Sequence, residues 1–508
     1  MLLSWLGVAI WVLFVMYTNR KVHPRALFAL FMVELWERFS YYGMRAFLIL
    51  YITADISKRG LGFDDAKAYG VYAAYGALVY LTPMIGGYLA DQMMGFRKAI
   101  IWGAILMAAG QFTLSFSTMD SSVLFYIGLA TLVIGNGFFK PNISSMVGRF
   151  YKEGDPRRDG GFTIFYMGIN MGAFLAPLTC GVIAEKEGWA YGFLAAGIGM
   201  VVGLFAFLWA QKSQIFEEVG IAPTESKTSS LLGIPKTIFP YVLTVVSIPL
   251  FWLLINQNDV VDYMLAVIGA GIILYLLVDS FKYEKVQRQR IWVIVILLLF
   301  TTIFWTFFEL AGSALNLFTE RNVDKNIFGI ELTTSSFQSF NPLFIMLFAP
   351  LFSWIWIKLG QLNKEPAAPL KFSVGLLLLG AGFLVLNLGN ASAMAGKVAA
   401  IFLILLYLLH TLGELSLSPV GLSMVTKLAP AKIVAFMMGV WFLSSSIAHQ
   451  AGKHISKLTA VSGDNVTAEE TLAVSMNVFN QVGLFAVGAG VLLIVLSPMI
   501  TRWMHGIK

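Results

Sequence analysis

Charge is scarce in this sequence. Lys, Arg, Asp and Glu together make up 12% of its 508 residues, where a soluble domain carries about 25%. Cysteine is almost absent: Cys180 stands alone, which excludes an intrachain disulfide and any metal cluster built on cysteine. No HExxH, GxSxG or GxxxxGK[ST] stretch occurs, and the histidines stand away from any acid pair of catalytic spacing. An intramembrane enzyme therefore has no recognisable machinery. A platform of basic and aromatic residues is also missing, so the net charge of +7 does not mark a nucleic-acid binder.

What is present is apolar. The chain is 58% hydrophobic with a mean hydropathy of +0.77. A membrane-spanning helix needs about 20 apolar residues, and the chain has room for more than a dozen. Apolar helical runs are read near 26–54, 68–91, 97–117, 122–149, 161–184 and 190–211, and again near 290–318, 337–358, 370–389, 395–425, 431–456 and 472–501. Between these two sets of six, 236–257 and 260–280 read as two further spans behind a polar linker.

The connections give the orientation. Alternate ones are basic, carrying Arg97/Lys98, Arg149/Lys152/Arg157/Arg158, Lys212/Lys227/Lys236, Lys282/Lys285/Arg288/Arg290, Lys358/Lys364/Lys371 and Lys427/Lys432. The intervening ones are mixed or acidic, such as Asp64/Asp65 and Asp464/Glu469/Glu470. Cytoplasmic loops collect Lys and Arg, so the basic set faces inward and the C-terminus is expected in the cytoplasm. Residues 2–18 are apolar but lack a charged n-region and a small-residue cleavage site, which argues against a signal peptide. They are expected to form an extra helix, transmembrane or interfacial. If it spans, Arg20, Lys21 and Arg25 stay inside and the N-terminus lies outside.

Seven ionisable residues fall at membrane depth: Glu34, Glu37, Arg38, Arg45, Lys140, Glu309 and Glu414. Each costs about 2.5–3.5 kcal/mol on insertion scales and needs a partner or a wet cavity. Glu34, Glu37 and Arg38 share one helix face at i, i+3 and i+4. Arg45 lies about three turns, roughly 16 Å, further along nearly the same stripe. Helix direction places Arg45 and Glu309 in the outer half, and Lys140 and Glu414 in the inner half. Two salt bridges between the six-helix sets are therefore expected, Arg45–Glu309 and Lys140–Glu414, broken and made alternately as access alternates. Four acids against three bases leave one acid over, and Glu37 is the expected proton carrier. Pro141, beside Lys140, is expected to open its helix and free carbonyls into the cavity. Asn170 and Asn341 are mid-membrane amides that would bond either a substrate or another helix. Tyr41 and Trp441 either line a pocket or pack. His410, His449 and His454 are read as structural.

These residues sit in motifs. Glu34-Leu-Trp-Glu37-Arg38-Phe39-Ser40-Tyr41-Tyr42-Gly43 resembles the ExxER(F/Y)xYY motif of proton-dependent oligopeptide transporters. Gly135-Asn-Gly-Phe-Phe-Lys140-Pro141-Asn142 and Phe165-Tyr-Met-Gly-Ile-Asn170-Met-Gly172 are similar to that family's fourth- and fifth-helix signatures. Phe304-Trp-Thr-Phe-Phe-Glu309 and Gly413-Glu414-Leu-Ser-Leu-Ser-Pro419-Val-Gly421 extend the likeness into the second half. Gly87-Tyr-Leu-Ala-Asp91 with Gly95-Phe-Arg97-Lys98 resembles a loop of the wider major facilitator superfamily. The resemblance runs over residues 26–502.

The resemblance implies an all-α integral membrane protein of the major facilitator superfamily fold. Its expected parts are an extra N-terminal helix in 1–22, a six-helix bundle at 26–211, a cytoplasmic linker at 212–235, an inserted helix pair at 236–282 and a second six-helix bundle at 290–503. It implies a proton-coupled symporter importing di- and tripeptides by alternating access, working as a monomer in a bacterial inner membrane without a cofactor, driven by the proton gradient. Glu34, Glu37 and Arg38 would couple protons. Arg45 and Lys140 would attract the peptide carboxylate and Glu414 would hold the amino end. Asn170 and Asn341 would contact the backbone, while Tyr41, Trp441 and Ser445 would complete the site. The chain departs from the family in residues 1–20, which members usually lack, and it has no histidine in the second core helix, where animal members carry one. The alternative is a same-family symporter for another small solute, such as an amino acid, nitrate or a peptide-like compound. The acids Glu309 and Glu414 would repel nitrate. A passive channel is a further alternative, which accumulation against a gradient would exclude.

Overall fold

The structure is a computed structural model that describes residues 1–117, 122–223, 229–461 and 466–507. Lys227 and Asp464 of the charge pattern lie outside the described residues. Seventeen α-helices account for nearly all regular structure among them. Twelve helical segments among the described residues are long and apolar enough to cross a membrane. Among the described residues the small strands form three two-stranded pairs and no larger sheet. The chain divides into two compact units, Met1–Phe63 with Leu78–Gln257, and Asp64–Ala77 with Asn258–Lys508.

The first unit begins with α1 (Leu2–Asn19), α2 (Arg25–Thr53) and α3 (Asp65–Leu89), the last of which also lends its first turns to the second unit. It continues with α4 (Gly95–Ser115), α5 (Ser122–Gly148), α6 (Arg157–Ala176), α7 (Val182–Glu187), α8 (Trp189–Lys212) and α9 (Phe239–Asn256). Lipid gives helices no hydrophobic reason to associate, so close approach of small residues does that work. On α6, a Cβ at Gly172 would stand 2.2 Å from the Leu35 carbonyl oxygen and 2.9 Å from Arg38 Cβ. The glycine thus lets α6 press directly on the charged stretch of α2. On α4, a Cβ at Gly103 would stand 2.6 Å from the Gly135 carbonyl of α5.

The N-terminal helix α1 is largely exposed, with only Val12 and Val15 buried. Trp5 anchors it: its indole N–H donates to Thr179 Oγ1 at 2.9 Å, and its ring meets Trp36 and Phe39. At the other end, Arg157 Nη1 donates to the Val22 carbonyl at 3.1 Å, and His23 Nδ1 lies 2.9 Å from the Tyr151 hydroxyl. Between α3 and α4 a π turn at Ala90–Met94 ends in Gly95 at φ +75°. A side chain there would also collide with Ala222, because the linker is drawn in by Arg97, which donates to the carbonyls of Val219 at 2.7 Å, Phe216 at 2.9 Å and Glu217.

Pro141 does not open α5. The helix runs unbroken from Ser122 to Gly148. The carbonyl that a proline at 141 leaves without its N–H is that of Gly137. It is covered by α3, since a Cβ at Gly86 would fall 2.0 Å from that oxygen. Asn142 Nδ2 adds a bond to the Phe138 carbonyl at 2.7 Å. The freed acceptor meets Cα of Gly86, where a weak Cα–H contact fits, and no carbonyl opens into a cavity there.

The second unit holds α10 (Asn258–Ser280), α11 (Lys285–Phe308), α12 (Ala314–Asn322), α13 (Phe340–Gln361), α14 (Ala368–Leu388), α15 (Ala400–Leu428), α16 (Val434–Lys457) and α17 (Ala468–Trp503). The span expected over 290–318 forms within one apolar helical segment, Lys285–Asn322, but not as one unbroken helix. The helix breaks at a 3-10 turn, Glu309–Gly312, before α12 begins. Gly312 is a poor helix former and Ser313 a weaker one than alanine, and α16 closes on the break, with Ser313 Oγ 3.1 Å from Ser456 Oγ. α17 opens with a capping box, Thr467 bonding Glu470 N–H while Glu470 bonds back. Large apolar side chains such as Val246, Val267, Leu274 and Trp354 point outward, as a hydrocarbon surround requires.

Two outcomes are expected. Gly86→Ala forces α3 off the Gly137 carbonyl, costing about 1–3 kcal/mol; a lowered thermal midpoint in detergent checks it, and an unchanged one refutes the close approach. The second concerns His23. Burial, and then the Arg157 charge, push His23 below its ordinary value of 6.5, with Asp155 pulling the other way. The fold thus prefers neutral imidazole, a contribution present above pH 6.5 and lost as pH falls through the depressed value. Amide exchange around residues 20–25 is expected to speed up, beyond the intrinsic effect, on going from pH 7.5 to 5.5 in the wild type and not in His23→Gln.

Candidate functional site

In the first unit the polar stripe of α2 closes on itself. Arg38 Nε lies 2.9 Å from Glu34 Oε1 and 2.5 Å from Glu37 Oε2. All three are buried, Glu37 completely. One guanidinium thus serves two carboxylates, and Glu37 Oε1 has no hydrogen-bond partner among the described residues. The stripe continues outward as alternating cation and ring: Arg38 sits 5.6 Å from the Tyr41 ring centroid, Tyr41 packs edge-on against Tyr42, and Arg45 sits 5.7 Å from the Tyr42 centroid. Such contacts strengthen when desolvated. Lys140 on α5 lies 4.5 Å from the Tyr80 ring centroid and within electrostatic reach of both Glu34 and Glu37. Asn170 on α6 donates from Nδ2 to the Tyr166 carbonyl of its own helix at 3.0 Å, which leaves its second N–H and its Oδ1 for another partner.

The second unit has its own cluster. Asn341 Nδ2 on α13 donates to Glu414 Oε2 at 2.9 Å and Thr411 Oγ1 at 3.0 Å on α15. That bond fixes the carboxylate of Glu414. Trp441 on α16 is buried, with Gly421 of α15 so close that a Cβ there would stand 2.3 Å from the indole. Ser445 follows one turn on, half-buried. Glu309 is buried at the break after α11, its Oε2 4.0 Å from His449 Nε2. Trp441, Ser445, His449 and Lys453 recur every four residues and form one slowly turning stripe on α16.

Of the histidines, His410 is a core residue: its Nε2 lies 3.1 Å from the Leu379 carbonyl, between the rings of Phe383 and Phe308. His449 and His454 instead face carboxylates, at 4.0 Å from Glu309 and 3.4 Å from Asp262. Sequence reasoning missed two ion clusters. Asp65 accepts both terminal nitrogens of Arg321, at 2.6 and 2.8 Å. Lys453, fully buried, bonds Asp259 at 3.0 Å and also Asp262. Both lie at helix ends, where a charge passes for a loop residue. The four-residue step from His449 to Lys453 was the only available signal.

A family model described as the POT family matches residues 97–472. The chain is 38% identical to the peptide transporter YePEPT of Yersinia enterocolitica, over 95% of this chain and 96% of that one. It is 36% identical to dipeptide and tripeptide permease A of Proteus mirabilis, again with 95% and 96% covered. Among solved structures, a peptide transporter POT in complex with sulfate superimposes with a TM-score of 0.81 at 37% identity, covering 95% of this chain and 96% of that one. With every motif in place on a multi-pass major facilitator fold, the chain belongs to the POT family of transporters.

Proposed function

We propose that the protein is a proton-coupled symporter that imports di- and tripeptides across a bacterial inner membrane, working as a monomer and without a cofactor. The observation that carries the reading is the sharing of Arg38 by Glu34 and Glu37 in a buried site. Two carboxylates against one guanidinium leave a charge that low-dielectric surroundings penalise, and a single proton cancels it. Relatives named for peptide transport support the substrate class.

A zwitterionic peptide needs opposite charges a fixed distance apart. Arg45 and Lys140 offer cations to its carboxylate, and Glu414, held by Asn341, offers an anion to its ammonium. Asn170 and Asn341 face the backbone, and Tyr41, Trp441 and Ser445 border the side chains. Affinity drawn from termini and backbone leaves side chains loosely held, which suits many sequences. Arg45–Glu309 and Lys140–Glu414 act as alternately broken bridges. Glu37 carries the proton, with Glu34 and Arg38 coupling it to the substrate site. The basic connections face the cytoplasm together with the C-terminus, and residues 2–18 put the N-terminus outside if they span.

Reconstituted in liposomes, the wild type is expected to accumulate labelled dialanine under an inward proton gradient. Glu37→Gln is expected to fall to the level of empty liposomes in accumulation while retaining dialanine exchange. Full gradient-driven uptake by Glu37→Gln overturns the assignment of the carrier. No dialanine uptake by folded wild type moves the substrate to another small solute.

A further inference from the structure

His449, which the sequence reads as structural, faces a buried carboxylate in the second unit. Its Nε2 lies 4.0 Å from Glu309 Oε2, too far for a direct hydrogen bond and suited to one intervening water. Both residues line one cavity of about 10 Å³, together with Tyr69, Tyr72, Ser313 and Lys453, at the threshold of room for a single water. The polar lining supplies the partners such a water needs.

The groups around it form a graded path. On the same helix, Lys453 stands one turn from His449. Its ammonium is held by Asn258 at 3.2 Å, Asp259 at 3.0 Å and Asp262, all on α10. Asp259 is three-quarters exposed while Lys453 is buried, so the cluster runs from solvent to the interior. His454 sits beyond it against Asp262. From the first turns of α3, Tyr69 and Tyr72 face the cavity, and the Asp65–Arg321 pair flanks Tyr69. The charge pattern of the connections puts this end of the unit outside. The break at Glu309–Gly312 carries Glu309 off the regular path of α11 and so sets it opposite α16.

We infer that His449 is a proton relay to Glu309, loading that carboxylate from the outer face of the second unit. The inference rests on the proton-coupled reading above. A solvent proton binds the neutral imidazole, and the resulting imidazolium N–H passes a proton through the bridging water to the Glu309 carboxylate. The imidazole returns to neutral and the carboxylate loses its charge, so one proton has moved inward and nothing else changes. The two aspartates hold the lysine in place and give the path a negative mouth. Nothing in this sequence calls for the relay to use a histidine in the second core helix, where this chain has none.

The test compares His449→Gln with wild type in proteoliposomes. Gradient-driven dialanine accumulation is expected to fall by about a hundredfold, the lower end of the range for loss of a positioned proton-transfer group, with dialanine counterflow within about twofold of wild type. Undiminished accumulation overturns the relay. A second readout needs no substrate: in infrared spectra of the purified protein, the acid carbonyl band that Glu309→Gln abolishes is expected to move in His449→Gln. An unmoved band overturns the relay, as does equal loss of accumulation and counterflow with an unmoved band, which marks a structural role. If folded wild type takes up no dialanine, the substrate reading fails and the infrared band alone decides this one. His449→Asn gives the same two readings should the Gln variant not fold.

Discussion

Everything polar in this chain answers to one constraint: a charge placed where hydrocarbon should be must find its counter-charge inside the protein. The Glu34–Arg38–Glu37 cluster is the plainest case. Both carboxylates lie nearest one atom of the guanidinium, Arg38 Nε, and two ionised acids against that one cation are a proton short of balance. Stability and function then pull on the same atoms. Neutral residues of similar size would fill such a site at least as stably, so the cluster is not accounted for by stability alone.

The second unit solves the same problem differently. Glu414 is fixed by an amide, Asn341, so its charge stays available while its position does not wander. Glu309 sits at a helix break, where the turn frees it from the regular helical path and presents it to α16. Lys453 is neutralised by two aspartates of α10. An inserted helix in this unit therefore contributes acids to a buried base. The small residues that let helices close in, Gly172 against α2 and Gly86 over the Gly137 carbonyl, make these arrangements rigid without hydrophobic force.

Much of this was legible in the residues. The i, i+3, i+4 spacing of Glu34, Glu37 and Arg38 put them on one face, and they touch. The apolar runs fall on helices because nothing but a helix satisfies its own backbone in lipid. Pro141 misled: a missing N–H implies a bare carbonyl, but whether it stays bare depends on Gly86, more than fifty residues upstream. Lys453 was passed over because it stands close to a helix end, where charges are ordinary.

The sequence alone determined that this is a helical membrane protein, which charges lie at depth and which family's motifs it carries. These are properties of composition and local spacing, and the bilayer turns them into structure with few alternatives. Only the tertiary structure decided which acid meets which base. His449 and Glu309 are 140 residues apart in the chain and 4.0 Å apart in space; no local period relates them. Their meeting depends on a helix break, a neighbouring helix and a buried lysine cluster, and such long-range coincidences exist only once the chain has packed.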